Sequence, residues 1–158
     1  MENMKALALE VVESLKAANL RLSLAESITG GLIGHLITNI EGASRVFLGG
    51  LVVYSAEAKC VMLNIPMENI HEVGTISEDV TKMMLNQMTK LPSDINLAIT
   101  GIAGKPVEGL PRGTVYIGMN CCGNVTIQKF KFEGTREEIK QLAAIQALNL
   151  VLDYIHTV

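Results

Sequence analysis

Positive charge is not in excess in this chain of 158 residues, where 13 lysines and arginines face 16 aspartates and glutamates for a net charge of -3. The basic residues are scattered, so nucleic acid is not an expected partner. No apolar run approaches the ~20 residues a membrane span requires, and Met1-Glu2-Asn3-Met4-Lys5 lacks the apolar stretch and cleavage site of a secretion signal. Cysteine is scarce. Cys60 stands far from the adjacent pair Cys121-Cys122, which makes no disulfide framework and fits a reducing cytoplasm. The three histidines, His35, His71 and His156, form no HxxxH or HxxE pair, so neither a zinc site nor any other cofactor is expected. A GxSxG elbow is missing as well. Gly101 to Lys105 departs from the phosphate-loop template, having Ile99 where glycine is required and Pro106 where serine or threonine is required.

With 49% apolar residues the chain can bury a sizeable core. Leu7, Ala8, Val11, Val12, Leu15 and Ala18 recur at helical spacing and predict a helix over roughly 4–18, with Asn19 as a left-handed stop. Arg21 to Ala25 reads as a buried strand running into the turn Glu26-Ser27-Ile28-Thr29-Gly30-Gly31. A helix follows with Leu32, Ile33, Leu36, Ile37 and Ile40 inside. Val46 to Tyr54 reads as a second strand interrupted at Gly49-Gly50, and Ser55 caps a helix carrying Lys59. Residues around Pro66 and Gly74 read as loop. Ser77 caps a helix that buries Val80, Met84, Met88 and Leu91. Ile95 to Thr100 is a third strand, ending in Gly101-Ile102-Ala103-Gly104, and 105–112 reads as loop. Thr114–Asn120 and Val125–Phe132 predict a hairpin. Thr135-Arg136-Glu137-Glu138 is a capping box opening a last helix that reaches about Ile155.

This order predicts an α/β chain forming one domain over 1–158, a three-layer α/β/α sandwich around a mixed sheet of about five strands. Three strands end in polar or glycine-rich turns. If they are parallel, Ser27, Tyr54 and Thr100 share the rim where open α/β sheets bind ligands. Helical side chains lean toward their own N-terminus, which aims Lys59 back at Tyr54. A serine nucleophile with a neutral lysine as base is one reading, with backbone N–H groups at Thr29, Gly30 and Gly31 holding an oxyanion or phosphate. Plainer readings stand beside it. A serine at such a turn also serves as a helix N-cap, a lysine on a short helix is commonly solvated, and a tyrosine at a strand end commonly packs into the core rim. Gly49 and Gly50 give clearance to a ligand or to a neighbouring backbone alike.

Several ordered motifs are together more specific. They are Ala25-Glu26-Ser27-Ile28-Thr29-Gly30-Gly31, Gly42-Ala43-Ser44, Phe47 through Ser55 with Lys59 beyond, Gly74-Thr75-Ile76-Ser77, Thr100-Gly101-Ile102-Ala103-Gly104 and Gly113-Thr114-Val115-Tyr116. Across essentially its whole length the chain resembles the CinA C-terminal domain family. The resemblance implies an α/β/α sandwich and a nicotinamide-nucleotide amidohydrolase, which converts nicotinamide mononucleotide to nicotinic acid mononucleotide and ammonia in pyridine nucleotide salvage. It implies Ser27 as nucleophile with Tyr54 and Lys59 as partners, and Thr100 and Arg136 as substrate-binding positions. Gly101 is expected beside Thr100, and Lys105 and Arg112 join Arg136 as candidate phosphate ligands. Two departures are visible. Ile28 stands where the family carries cysteine or a similar small residue. The loop from Lys105 to Gly113 is shorter and poorer in glycine than the family's proline-glycine-glycine and lysine-proline-valine-glycine pattern.

The expectation is therefore a metal-free hydrolase of a carboxamide, acting on a small nucleotide in the cytoplasm, without nucleic-acid or membrane partners and as a homo-oligomer. The alternative is a catalytically inactive nucleotide-binding or partner-binding module of the same fold.

Overall fold

A computed structural model describes residues 2–158. Helix α1 spans Glu2–Ala18 and buries Met4, Ala8, Val11, Val12 and Leu15, the predicted stripe. Asn19 follows at φ 53°, a left-handed stop. Strand β1 (Leu22–Glu26) is buried along its whole length, as a central strand covered on both faces must be. Helix α2 (Leu32–Thr38) and a 3₁₀ turn (Ala43–Arg45) lead to β2 (Phe47–Val52). Next come α3 (Ala56–Leu63), α4 (Met67–Val73), α5 (Glu78–Met88) and β3 (Ile95–Gly101). The hairpin β4 (Thr114–Cys121) and β5 (Asn124–Lys131) precedes α6 (Arg136–Ile155).

The five strands form a mixed sheet in the order β2-β1-β3-β4-β5. Strand β1 lies parallel to both β2 and β3, while β4 and β5 run antiparallel. Helices α1, α2 and α6 cover one face and enclose the larger core. Helices α3, α4 and α5 supply the second core, around Val53, Ile65, Ile70, Met84 and Met88. The α/β fold class and the mixed five-stranded sheet expected from the sequence are the ones present. No helix of the described residues is long and apolar enough to cross a membrane.

Three local readings change. The stretch after Pro66, read as loop, contains α4, a two-turn helix bounded by Pro66 and Gly74 that buries Ile70. Leu91 lies outside α5, which ends at Met88. Gly49 and Gly50 do not interrupt β2. The strand runs through them, paired to Ser23 and Leu24, with its register shift at the preceding step. Gly50 is where the backbones need clearance, since a Cβ there would lie 3.1 Å from Leu24 Cβ and 3.2 Å from its carbonyl oxygen.

Candidate active site

Ser27 follows the last residue of β1, and its N–H donates to the carbonyl of Ile99 in β3. Val53, just beyond β2, donates to the carbonyl of Glu26. The carboxyl ends of the three parallel strands thus meet at Ser27. The β1–β2 connection carries α2 on one face and the β2–β3 connection carries α3 to α5 on the other. A topological switch of this kind opens a crevice at the strand ends. A cavity of about 360 Å³ lies there, lined among others by Ser27, Tyr54, Lys59, Thr75, Thr100 and Arg136.

Ser55 caps α3, accepting from the Ala58 N–H at 3.0 Å. Lys59 lies one turn into that helix and leans toward its N-terminus. Its Nζ reaches Ser27 Oγ at 3.2 Å and the Val53 carbonyl at 3.1 Å. Only 1% of the lysine is exposed. Burial lowers its pKa from 10.5 to about 8, the dominant cause, while the negative charge of Glu108 pulls it back up. Ser27 Oγ has a second partner in the Tyr54 carbonyl, at 3.5 Å. In the neutral dyad the Ser27 hydroxyl can donate to the Nζ lone pair while Nζ donates to Val53. In the charged dyad Nζ donates to both, and the Ser27 proton turns to Tyr54. Proton transfer from Ser27 to Lys59 therefore needs no rearrangement of heavy atoms.

Ser27 is not a helix cap. The N-cap of α2 is Gly31, left-handed at φ 96° with no side-chain cap, and the donors at that helix start are served by Glu26 instead. The Glu26 carboxylate, 3% exposed, accepts from the N–H groups of Gly31, Ile33 and Gly34 at 3.1, 3.1 and 2.8 Å. The Gly30 N–H donates to the Ser27 carbonyl at 3.1 Å. The expected oxyanion donors at Gly30 and Gly31 are thus already engaged. Thr29, Gly30 and Gly31 line a separate cavity of about 770 Å³ near the starts of α1 and α6, and Thr29 Oγ1 is buried with no partner among the described residues. Sequence reasoning missed Glu26. The signal was an acidic residue ahead of a helix whose start offers only glycines.

The remaining expected residues divide. Tyr54 is 59% exposed rather than packed in the core rim, and its hydroxyl accepts from Arg136 Nη2 at 2.6 Å. It lines the cavity as the partner of Arg136, while Lys59 and Ser27 meet directly. Arg136, first residue of α6, lies so close to Gly104 that a Cβ there would stand 2.8 Å from its Nη1. Lys105 lines the same cavity. Thr100 is buried and donates its hydroxyl to the Thr75 carbonyl at 3.0 Å, and Gly101 lines the floor. Gly49 and Gly50 sit mid-strand in β2, and Arg112 lies in the turn before β4, its carbonyl accepting from Lys131 Nζ; these three are outside the lining. Ile28, Ala103 and Gly104 line the cavity, and their N–H groups have no protein acceptor among the described residues. These are donors left for a ligand.

The model for the CinA C-terminal domain matches residues 4–155. A putative competence-damage inducible protein of Caldicellulosiruptor bescii is 40% identical over 151 residues, covering 91% of this chain and 37% of the relative. One of the same description from Streptococcus pneumoniae is 40% identical over 149 residues, covering 92% of this chain and 36% of its own length. The chain thus spans little more than a third of these relatives. Among solved structures, a CinA superfamily protein from Klebsiella pneumoniae superposes with a TM-score of 0.93 at 28% identity, covering 98% of this chain and 99% of that one. Another from Escherichia coli gives 0.89 at 28% identity, covering 94% of this chain and 88% of that one.

Proposed function

We propose that this chain, which belongs to the CinA C-terminal domain family, is an amidohydrolase that converts nicotinamide mononucleotide to nicotinic acid mononucleotide and ammonia. The observation that carries the reading is the buried Ser27–Lys59 pair at 3.2 Å, with a lysine poised to be neutral just above neutral pH. A buried lysine of lowered proton affinity beside a serine is the arrangement a serine nucleophile needs. Ser27 Oγ attacks the carboxamide carbon as its proton passes to Lys59 Nζ. The N–H of Ile28, which follows the nucleophile, is the candidate oxyanion donor in place of Gly30 and Gly31. Lys59 then returns the proton to the departing nitrogen, and ammonia leaves. Water, deprotonated by Lys59, releases the acyl group as the carboxylate and restores Ser27. At the cavity mouth the guanidinium of Arg136, held by Tyr54, and the ammonium of Lys105 offer charge to a 5′-phosphate.

The shortened loop 105–112 favours a second reading, a module that binds the nucleotide without turning it over. One experiment separates the two: ammonia release from nicotinamide mononucleotide, its riboside and nicotinamide, with Ser27→Ala as control. Remote phosphate binding should make the mononucleotide the best substrate by at least about tenfold in kcat/KM. Ser27→Ala should lose at least ~10³-fold in rate while melting near wild type. Binding of the mononucleotide with no ammonia from any of the three compounds would leave the non-catalytic module.

A further inference from the structure

The tip of the loop from Lys105 to Arg112 carries a residue that turn chemistry alone does not explain. Val107 and Leu110 exchange hydrogen bonds at 3.2 and 2.8 Å, closing a tight turn. The two residues between them, Glu108 and Gly109, both have positive φ, 53° and 75°. This mirror-image turn favours asparagine, aspartate or glycine at its centre. Glycine satisfies position 109, but glutamate at 108 is a long side chain held in a left-handed conformation. Its contacts supply the reason. The carboxylate crosses to the segment between α4 and α5 and accepts the Thr75 N–H on both oxygens, at 3.1 and 3.0 Å, and the Thr75 hydroxyl at 2.7 Å. Gly74 admits it, since a Cβ there would lie 2.5 Å from Glu108 Oε2. The carbonyl of Thr75 in turn accepts from Thr100, and Thr75, Thr100 and Val107 all line the cavity with Lys59.

We propose that Glu108 is a positioning residue of this site, its carboxylate latching the 105–112 loop onto Thr75 and so holding the outer cavity wall against Thr100 and Lys59. The catalytic consequence rests on the amidohydrolase reading; the latch itself does not. The same carboxylate opposes the effect of burial on Lys59, raising the proton affinity that burial lowers. The other ionisable side chains lining the cavity are Tyr54, Lys105 and Arg136. They and the latch geometry are kept in Glu108→Gln, so a shift of the Lys59 midpoint in that variant reports the charge at 108.

Glu108→Gly and Glu108→Gln in the whole chain test this. Thermal unfolding, hydrogen exchange at the Thr75 amide and the NMR titration of Lys59 Cε are measured beside KM and kcat for the mononucleotide. The Lys59 signal is assigned by its absence in Lys59→Met. Glycine is at ease at positive φ, which offsets part of the lost hydrogen bonds, so Glu108→Gly should melt within a few degrees of wild type. Its Thr75 amide should nevertheless exchange about tenfold faster. KM should rise about fivefold or more with a smaller change in kcat. Glu108→Gln keeps a carbonyl acceptor but no charge. It should leave exchange near wild type and lower the Lys59 midpoint by a few tenths of a pH unit. Unchanged exchange in Glu108→Gly overturns the latch, an unchanged midpoint in Glu108→Gln overturns its action on Lys59, and a loss of activity that merely tracks a lower melting temperature overturns the positioning role. Exchange and titration need no turnover. Shifts in both with no ammonia from the wild type would sink the amidohydrolase and keep the latch, whereas turnover with neither shift would sink the latch alone.

Discussion

Lys59 puts a titratable cation where water is nearly excluded, and the fold carries the cost. Its pKa falls from 10.5 unfolded to about 8 folded, chiefly by burial. The unfolded chain therefore binds more protons between those values, and stability rises with pH through that window. Below pH 8 the penalty is fully present, roughly 3 kcal/mol by the usual conversion. Lys59→Met removes the charge along with the hydrogen bonds to Ser27 and Val53, which are worth about 1 kcal/mol each. The variant should be about 1 kcal/mol more stable than wild type at pH 6, with the order reversed by pH 10.5, where only the lost hydrogen bonds count. Denaturant unfolding at both pH values checks this, and a gap independent of pH would mean that the lysine is solvated. In the rate profile the same group should give a limb rising toward alkaline pH near 8, absent in Lys59→Met. Ser27 and Lys59 were legible as candidates because a strand end and a helix one cap later converge in any parallel arrangement. The engagement of the Gly30 and Gly31 amides was not, because it depends on the turn bringing Gly30 back to the Ser27 carbonyl and on Glu26 folding its carboxylate onto Gly31.

Helix α6 presents Arg136 to the cavity because its first turn is fastened. Thr135 accepts from the Glu138 N–H at 3.2 Å, and Glu138 accepts from the Thr135 N–H at 2.7 Å, a reciprocal box that the sequence spells out. Thr135→Ala should cost about 1 kcal/mol, a fall of roughly 2–4 °C in Tm for a chain of this size. If Arg136 binds the phosphate, KM for the mononucleotide should rise in the same variant, more than for the riboside. An equal change for both substrates would detach Arg136 from the phosphate. Helix α4 shows where element reading stops. Its seven residues are too few for periodicity to register, and it buries Ile70 alone. The proline before it and glycine after it are helix-boundary residues as well as loop residues, and only packing against α3 and α5 decides between these roles.

Across the whole molecule, the site exists because β1 sits between two parallel neighbours whose connections leave on opposite faces. The chemistry gathered there is an amine, hydroxyls and backbone amides. Among the described residues, no three histidine, cysteine, aspartate or glutamate side chains come together as a metal site would require. Ammonia release should accordingly survive prolonged dialysis against a chelator. A dialysed protein that is inactive and recovers with zinc or magnesium would rule out the Ser27–Lys59 mechanism as written.

Short-range pattern was enough to determine the amphipathic helices, the capped starts of α3, α5 and α6, and the β4–β5 hairpin. That hairpin turns on Cys122 and Gly123 at φ 53° and 93°, between Cys121 and Asn124. Each of these features depends on residues within a few positions of one another. Strand order, the direct Lys59–Ser27 contact across 32 residues and the Tyr54–Arg136 bond across 82 were decided only by the tertiary structure. In the sequence Tyr54 and Lys59 looked like a pair reaching for Ser27. In the fold the tyrosine hydroxyl goes to Arg136 and the lysine reaches the serine directly. The reason is geometric: sheet register and helix packing set which atoms come within 3 Å, and neither is carried by the local preferences of a residue and its neighbours.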